Sequence, residues 1–171
     1  TFQQSMRLMF AISIPAMVGF LMLGEPILKF LFEWGAFDAA DTAQTLPLLW
    51  AFALGLPLYS MVALLVRAFY AYKDTRTPMV VAVFSFVLNL TLSLALMWPL
   101  GVVGLALANV LAILGQAVLL TAMLSKFLQT NLLKDLSIDL LKIIGGSLLL
   151  MGFIYLSIWV VAGMPLTDKG E

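Results

Sequence analysis

Two long stretches that flank one polar segment of this sequence carry no charge at all. Thr42 to Val66 contains no Asp, Glu, Lys or Arg, and neither does Thr77 to Ser125. Between them lies one dense polar segment, Arg67-Ala-Phe-Tyr-Ala-Tyr-Lys73-Asp74-Thr75-Arg76-Thr77-Pro78, with three of the nine basic residues. A helix needs about 20 mostly apolar residues to cross a hydrocarbon core of ~30 Å. Uncharged runs of this length around a polar knot predict membrane-crossing helices joined by a loop at the membrane face. Composition agrees. The chain is 63% hydrophobic and 11% charged, with a mean hydropathy of +1.10. Soluble domains are nearer 45–50% apolar and about 25% charged. The expected fold class is all-α, a polytopic membrane helix bundle.

The same composition excludes whole classes of function. There is no Cys and no His. That removes the thiolate nucleophile, the disulfide, the commonest general base and the commonest zinc ligand. No nucleophile–base pair is placed for covalent catalysis, so the chain does not read as an enzyme. Gly101-Val-Val-Gly104 follows no strand, which rules out a dinucleotide loop. The net charge is zero, so membrane lipids are the expected surroundings and nucleic acid is not an expected partner. The chain opens at Thr1 in a polar lead and closes in a polar tail, and it reads as a piece of a longer protein.

About five spans are expected. The first covers roughly 8–33, after a polar lead over 1–7. Pro15 should kink it, and Glu25 and Lys29 are spaced i, i+4 for an ion pair near the interface. Asp38 or Asp41 is expected to cap the second span, Ala43 to Tyr72. That span carries Pro47 and, at its middle, Gly55 and Pro57, which predict a bend or hinge. Arg67 falls near its end. Two readings stand for it: snorkelling to the interface, or a cationic group at the mouth of a cavity. Thr75 or Thr77 is expected to cap the third span, roughly 78–98. A turn is required at Trp98-Pro99-Leu100-Gly101, because an unbroken helix through the uncharged run would be roughly 70 Å long. The fourth span, roughly 101–125, repeats Gly104, Ala108 and Ala112 at i+4, a face for close helix packing. An amphipathic connection over 126–139 leads to a fifth span, roughly 140–162.

Charge sets the topology. With alternating spans, Arg7, Arg67, Lys73, Arg76, Lys126, Lys134 and Lys142 share one side, and only Lys29 and Lys169 take the other. The positive-inside rule puts the first group in the cytoplasm.

The informative feature within the membrane is polar and uncharged. Ser85, Asn89 and Ser93 share a face of the third span, and Asn109 and Gln116 a face of the fourth. Folding the hairpin at Pro99 brings Asn89 and Asn109 to the same depth, ~15 Å below the outer face. Two readings stand here as well. One is polar glue between helices, such as an Asn–Asn bond. The other is a cation site built from oxygen donors.

Four stretches carry a family resemblance. They are Gly35-Ala-Phe-Asp38-Ala-Ala-Asp41-Thr42, Ala53-Leu-Gly-Leu-Pro57, the Arg67–Pro78 segment, and Gly101-Val-Val-Gly-Leu-Ala-Leu-Ala-Asn109. Together they resemble the MurJ/MviN family of bacterial lipid II flippases, within the MOP superfamily that also holds the MATE exporters. The resemblance implies a two-lobe transporter of about fourteen spans, of which this chain would be the ninth to thirteenth. Residues 1–136 would form part of the C-terminal lobe, and 137–171 an additional helix and tail. It implies a multi-pass protein of the bacterial inner membrane that moves an undecaprenyl-pyrophosphate-linked peptidoglycan precursor outward by alternating access. Lipid II and the remaining helices of the transporter would be its partners. Most of the family's cavity arginines lie in the N-terminal lobe and the eighth span, which this chain would not contain; Arg67, on its cavity-mouth reading, would border the substrate path. It implies no organic cofactor, but a sodium ion between the seventh, eleventh and twelfth spans, at positions that on this chain fall on Asn89, Ser93, Leu105 (through its backbone oxygen) and Asn109. Ser93 stands where an acidic ligand can occur. The alternatives are a MATE-like or polysaccharide exporter, or a membrane scaffold subunit that transports nothing.

Overall fold

The computed structural model describes residues 2–33 and 37–128. They form three helices: α1 (Phe2–Phe32), α2 (Ala39–Ala71) and α3 (Arg76–Leu128). All three are long and apolar enough to cross a membrane. The all-helical class stands; the described residues show three long helices, so the count of about five spans is not confirmed. α3 carries two of the expected spans in one element. The expected fifth span, the connection leading into it and the 136/137 boundary lie outside the described residues.

The polar lead is not a separate segment. Helix α1 starts at Phe2 because Met6 and Phe10 continue its buried face, with Ile14 and Val18 at helical spacing behind them. The 3.6-residue period of that face thus runs through Gln4, Ser5 and Arg7 without interruption. Glu25 and Lys29 form the expected ion pair at 2.8 Å, largely exposed at the far end of α1.

Asp38 caps α2. Its carboxylate accepts from the N–H groups of Ala40 (2.8 Å) and Asp41 (3.1 Å), and Asp41 returns the favour to the Asp38 N–H. This reciprocal box satisfies donors that a helix start otherwise leaves bare. The helix then stays regular through Pro47 and Pro57. It ends in a left-handed turn. Lys73 has φ 61°, its N–H donates to the Tyr70 carbonyl, and the Asp74 N–H donates to the Phe69 carbonyl. That is the Schellman pattern, with lysine where glycine is usual.

The start of α3 corrects the expectation of a threonine cap. It is the Asp74 carboxylate that accepts the Thr77 N–H, at 3.0 Å. Thr77, through its hydroxyl and its N–H, holds the Asp74 carboxyl below the usual carboxylate range. A depressed carboxyl stabilises above its unfolded pKa of about 3.9, and that contribution is lost as the pH falls through the lower folded value. Protection of the Thr77 amide, measured against its intrinsic exchange rate at each pH, is therefore expected to fall below about pH 4. Asp74→Ala should lack that protection at every pH; a Thr77 amide whose protection is indifferent to both changes would remove the cap.

The required reversal occurs at Gly101 (φ 57°, ψ −135°), the one non-helical residue inside α3. Such a conformation favours a residue without a Cβ. The two arms of α3 then run back along each other. Ser85 Oγ donates to the Ala112 carbonyl at 3.1 Å, and the Leu88 side chain lies against Gly115. Gly104, Ala108 and Ala112 are all buried, as a small-residue contact face requires.

The buried core gathers at one end. Met6, Phe10 and Ile14 of α1 meet Val62, Leu65 and Phe69 of α2, and Val81, Ala117, Leu120 and Leu124 of α3. This is the end that carries Arg7, Arg67, Lys73, Arg76 and Lys126. In lipid the contacts hold by close van der Waals fit, since hydrocarbon surrounds the helices in any case. The opposite end is looser. Open clefts of about 430 and 490 Å³ flank the first turns of α2, one against Val102 and Val103, the other against Glu25 and Lys29.

Candidate functional site

The polar midplane is built by α2 and both arms of α3. Asn89 and Ser93 sit one turn apart on the first arm, both half-buried. The Ser93 hydroxyl donates to Asn89 Oδ1 at 2.9 Å. Asn109 sits on the second arm, and its Oδ1 accepts the hydroxyl of Tyr59 from α2. The expected Asn89–Asn109 bond is thus not the one formed; each asparagine finds a hydroxyl instead. Leu105 lies one turn before Asn109, in continuous helix, with its side chain exposed. Gln116 is half-buried.

Tyr59 was not legible as a site residue, yet it bridges two helices. Its position depends on Gly55. Side chains of a helix lean back over the preceding turn, so the Tyr59 ring lies over residue 55. A Cβ on Gly55 would stand 2.6 Å from Tyr59 Cε2 and 3.3 Å from Val110 Cγ2. Glycine there makes a recess in which the ring lies flat and reaches α3. The signal was present as a Gly–Tyr pair at i, i+4 four residues wide, but only the fold shows what it serves. Pro57, inside the same turn, lacks an N–H, so the buried Ala53 has no helical donor at its carbonyl from this position.

Arg67 is exposed near the end of α2 and makes no ion pair among the described residues. It shares its end of the bundle with exposed Lys73, Arg76 and Lys126. The Tyr72 ring meets Phe127 edge-on, with centroids 5.2 Å apart, which ties the polar turn to the last turn of α3. Among the described residues no group of three or more acidic, His or Cys side chains could hold a metal ion.

A family model described as lipid II flippase MurJ matches residues 1–167. The chain belongs to the MurJ family. The lipid II flippase MurJ of Thermosipho africanus is 36% identical over 146 residues, covering 85% of this chain and 29% of that protein. The probable lipid II flippase MurJ of Rickettsia prowazekii is 36% identical over 108 residues, 63% of this chain and 21% of its own length. A solved structure, lipid II flippase MurJ in an inward closed conformation, superposes with a TM-score of 0.80 at 32% identity. It covers 91% of this chain, which in turn spans 32% of that one. The chain thus spans less than a third of the MurJ relatives named here. With its long apolar helices, MurJ membership makes it part of a multi-pass membrane protein.

Proposed function

We propose that this chain is part of a lipid II flippase of the bacterial inner membrane, a transporter and not an enzyme. The observation that carries the reading is the MurJ match along nearly the whole chain, together with the superposition of its helical bundle on a MurJ structure. In this reading the lipid-linked peptidoglycan precursor crosses from the inner to the outer leaflet by alternating access. The exposed Arg67 guanidinium meets the pyrophosphate near the cytoplasmic end, where a planar fork of donors matches phosphate oxygens. Its neighbours Lys73, Arg76 and Lys126 add positive potential at the same face, which the positive-inside rule places in the cytoplasm. The exposed apolar faces of α3 meet membrane lipids and the remaining helices of the transporter. Gly55 and Pro57 serve as the hinge of α2, because a turn with a missing hydrogen bond bends at lower cost.

The test is complementation. The full-length protein containing this chain should restore growth to a bacterium depleted of its own flippase, and lipid II should become accessible at the outer leaflet. Pro57→Ala should slow that appearance while the protein level stays normal. A well-expressed, membrane-inserted protein that leaves lipid II on the inner leaflet would refute the reading.

A further inference from the structure

The asparagine side-chain oxygens that a cation would need at the midplane each already accept one hydrogen bond. Asn89 Oδ1 accepts from the Ser93 hydroxyl, and Asn109 Oδ1 from that of Tyr59. Leu105 belongs to the regular helix of the second arm, where a carbonyl bonds the N–H four residues on, here that of Asn109. All these groups are neutral, and the position on this chain able to hold an acid is Ser93. A monovalent cation held by these residues alone would leave its water shell for neutral oxygens, with no charge among them to offset the loss. The donors that this chain supplies do not by themselves fit sodium.

We propose that Tyr59 is a positioning residue that closes this polar centre, so that a tyrosine hydroxyl stands where the family fold implies a cation. Three features on different elements agree with that assignment. Gly55 leaves a recess for the ring, the hydroxyl reaches across from α2 to α3, and Asn109 presents its oxygen to it. The bond ties the middle of α2 to the second arm of α3. The Ser93–Asn89 bond satisfies the first arm on its own. The two asparagine oxygens and the two hydroxyls of this centre are therefore paired without any ion, which suits the membrane interior. Because the claim concerns cation binding, it stands apart from the identity of the transported lipid.

The experiment uses the purified full-length protein in detergent, with thermal unfolding followed in NaCl and in KCl at equal ionic strength. A bound ion stabilises by mass action, so a sodium site appears as a sodium-specific rise of the midpoint. The wild type is expected to unfold at the same temperature in both salts. Ser93→Asp should acquire a sodium-specific rise. In Ser93→Asp with Tyr59→Phe the half-saturating sodium concentration should fall further, by about tenfold, since Asn109 Oδ1 is released from its hydroxyl. Tyr59→Phe alone should lower the midpoint in both salts equally. The proposal is overturned if the wild type shows a sodium-specific rise that Asn109→Leu abolishes. It is equally overturned if Tyr59→Phe leaves the midpoint where it was.

Discussion

Gly104→Ala is expected to stop the α3 hairpin from closing. A Cβ built on Gly104 lies 2.6 Å from the Leu96 carbonyl carbon and nearer still to its oxygen. The obstacle is backbone on the opposite arm, so no rotamer change relieves it. Overpacking a tight site costs about 1–3 kcal/mol when side chains can adjust. Here the arms themselves must separate, which puts the effect at the upper end of that range or above it. Separation would also pull apart the Ser85–Ala112 bond, exposing a hydroxyl and straining a contact face that depends on small residues. The expected result is a large drop in folded, monodisperse full-length protein after detergent extraction. Gly101→Ala makes a useful contrast. There the surrounding space is open but φ is positive, so the cost is conformational only, on the order of 1–3 kcal/mol. If Gly104→Ala were as well folded as Gly101→Ala, the close approach of the two arms would be wrong.

Arg67→Ala should remove most lipid II transport while leaving the protein folded. The side chain is exposed and makes no ion pair among the described residues, so its loss opens no cavity and strands no partner. On the proposed reading its removal costs the substrate a positive group able to bind phosphate in two places, and we expect a rate loss on the order of tenfold or more. Arg67→Lys keeps the charge but not the planar fork, and should retain a middle level of activity. Transport of a labelled lipid II in vesicles, with protein level as the control, separates the three. Equal transport by wild type and Arg67→Ala would return Arg67 to simple snorkelling.

Much of the helix layout was legible because charge is costly in hydrocarbon. The uncharged runs mark α2 and α3, and the span-length limit alone demanded the reversal found at Gly101. Asp38 was legible as a cap since local sequence suffices for that contact. What escaped notice depends on contacts distant in sequence or on backbone detail. The polar lead joined α1 because Met6 and Phe10 find partners on α2 and α3. Asp74 took the capping role expected of Thr75 or Thr77 because the left-handed turn at Lys73 delivers its carboxylate to the Thr77 N–H. The depth match of Asn89 and Asn109 followed from counting along a hairpin. Their partners did not, since Tyr59 reaches Asn109 only by lying across Gly55, on a helix 50 residues away.

The turn after α2 ties up its backbone with its own carbonyls and one carboxylate, through Tyr72, Lys73, Asp74 and Thr77. The side chains of Arg67, Lys73 and Arg76 take no part in those bonds. They stand exposed on a frame that would persist without them. Sequence drift at these three positions is therefore cheap for the fold. Charge can be gained, lost or moved around this face while the helices keep their places. A lineage can therefore retune the attraction of this face for anionic groups by single substitutions. The midplane allows less freedom, because there the Ser93 and Tyr59 hydroxyls are the partners of the two asparagine oxygens.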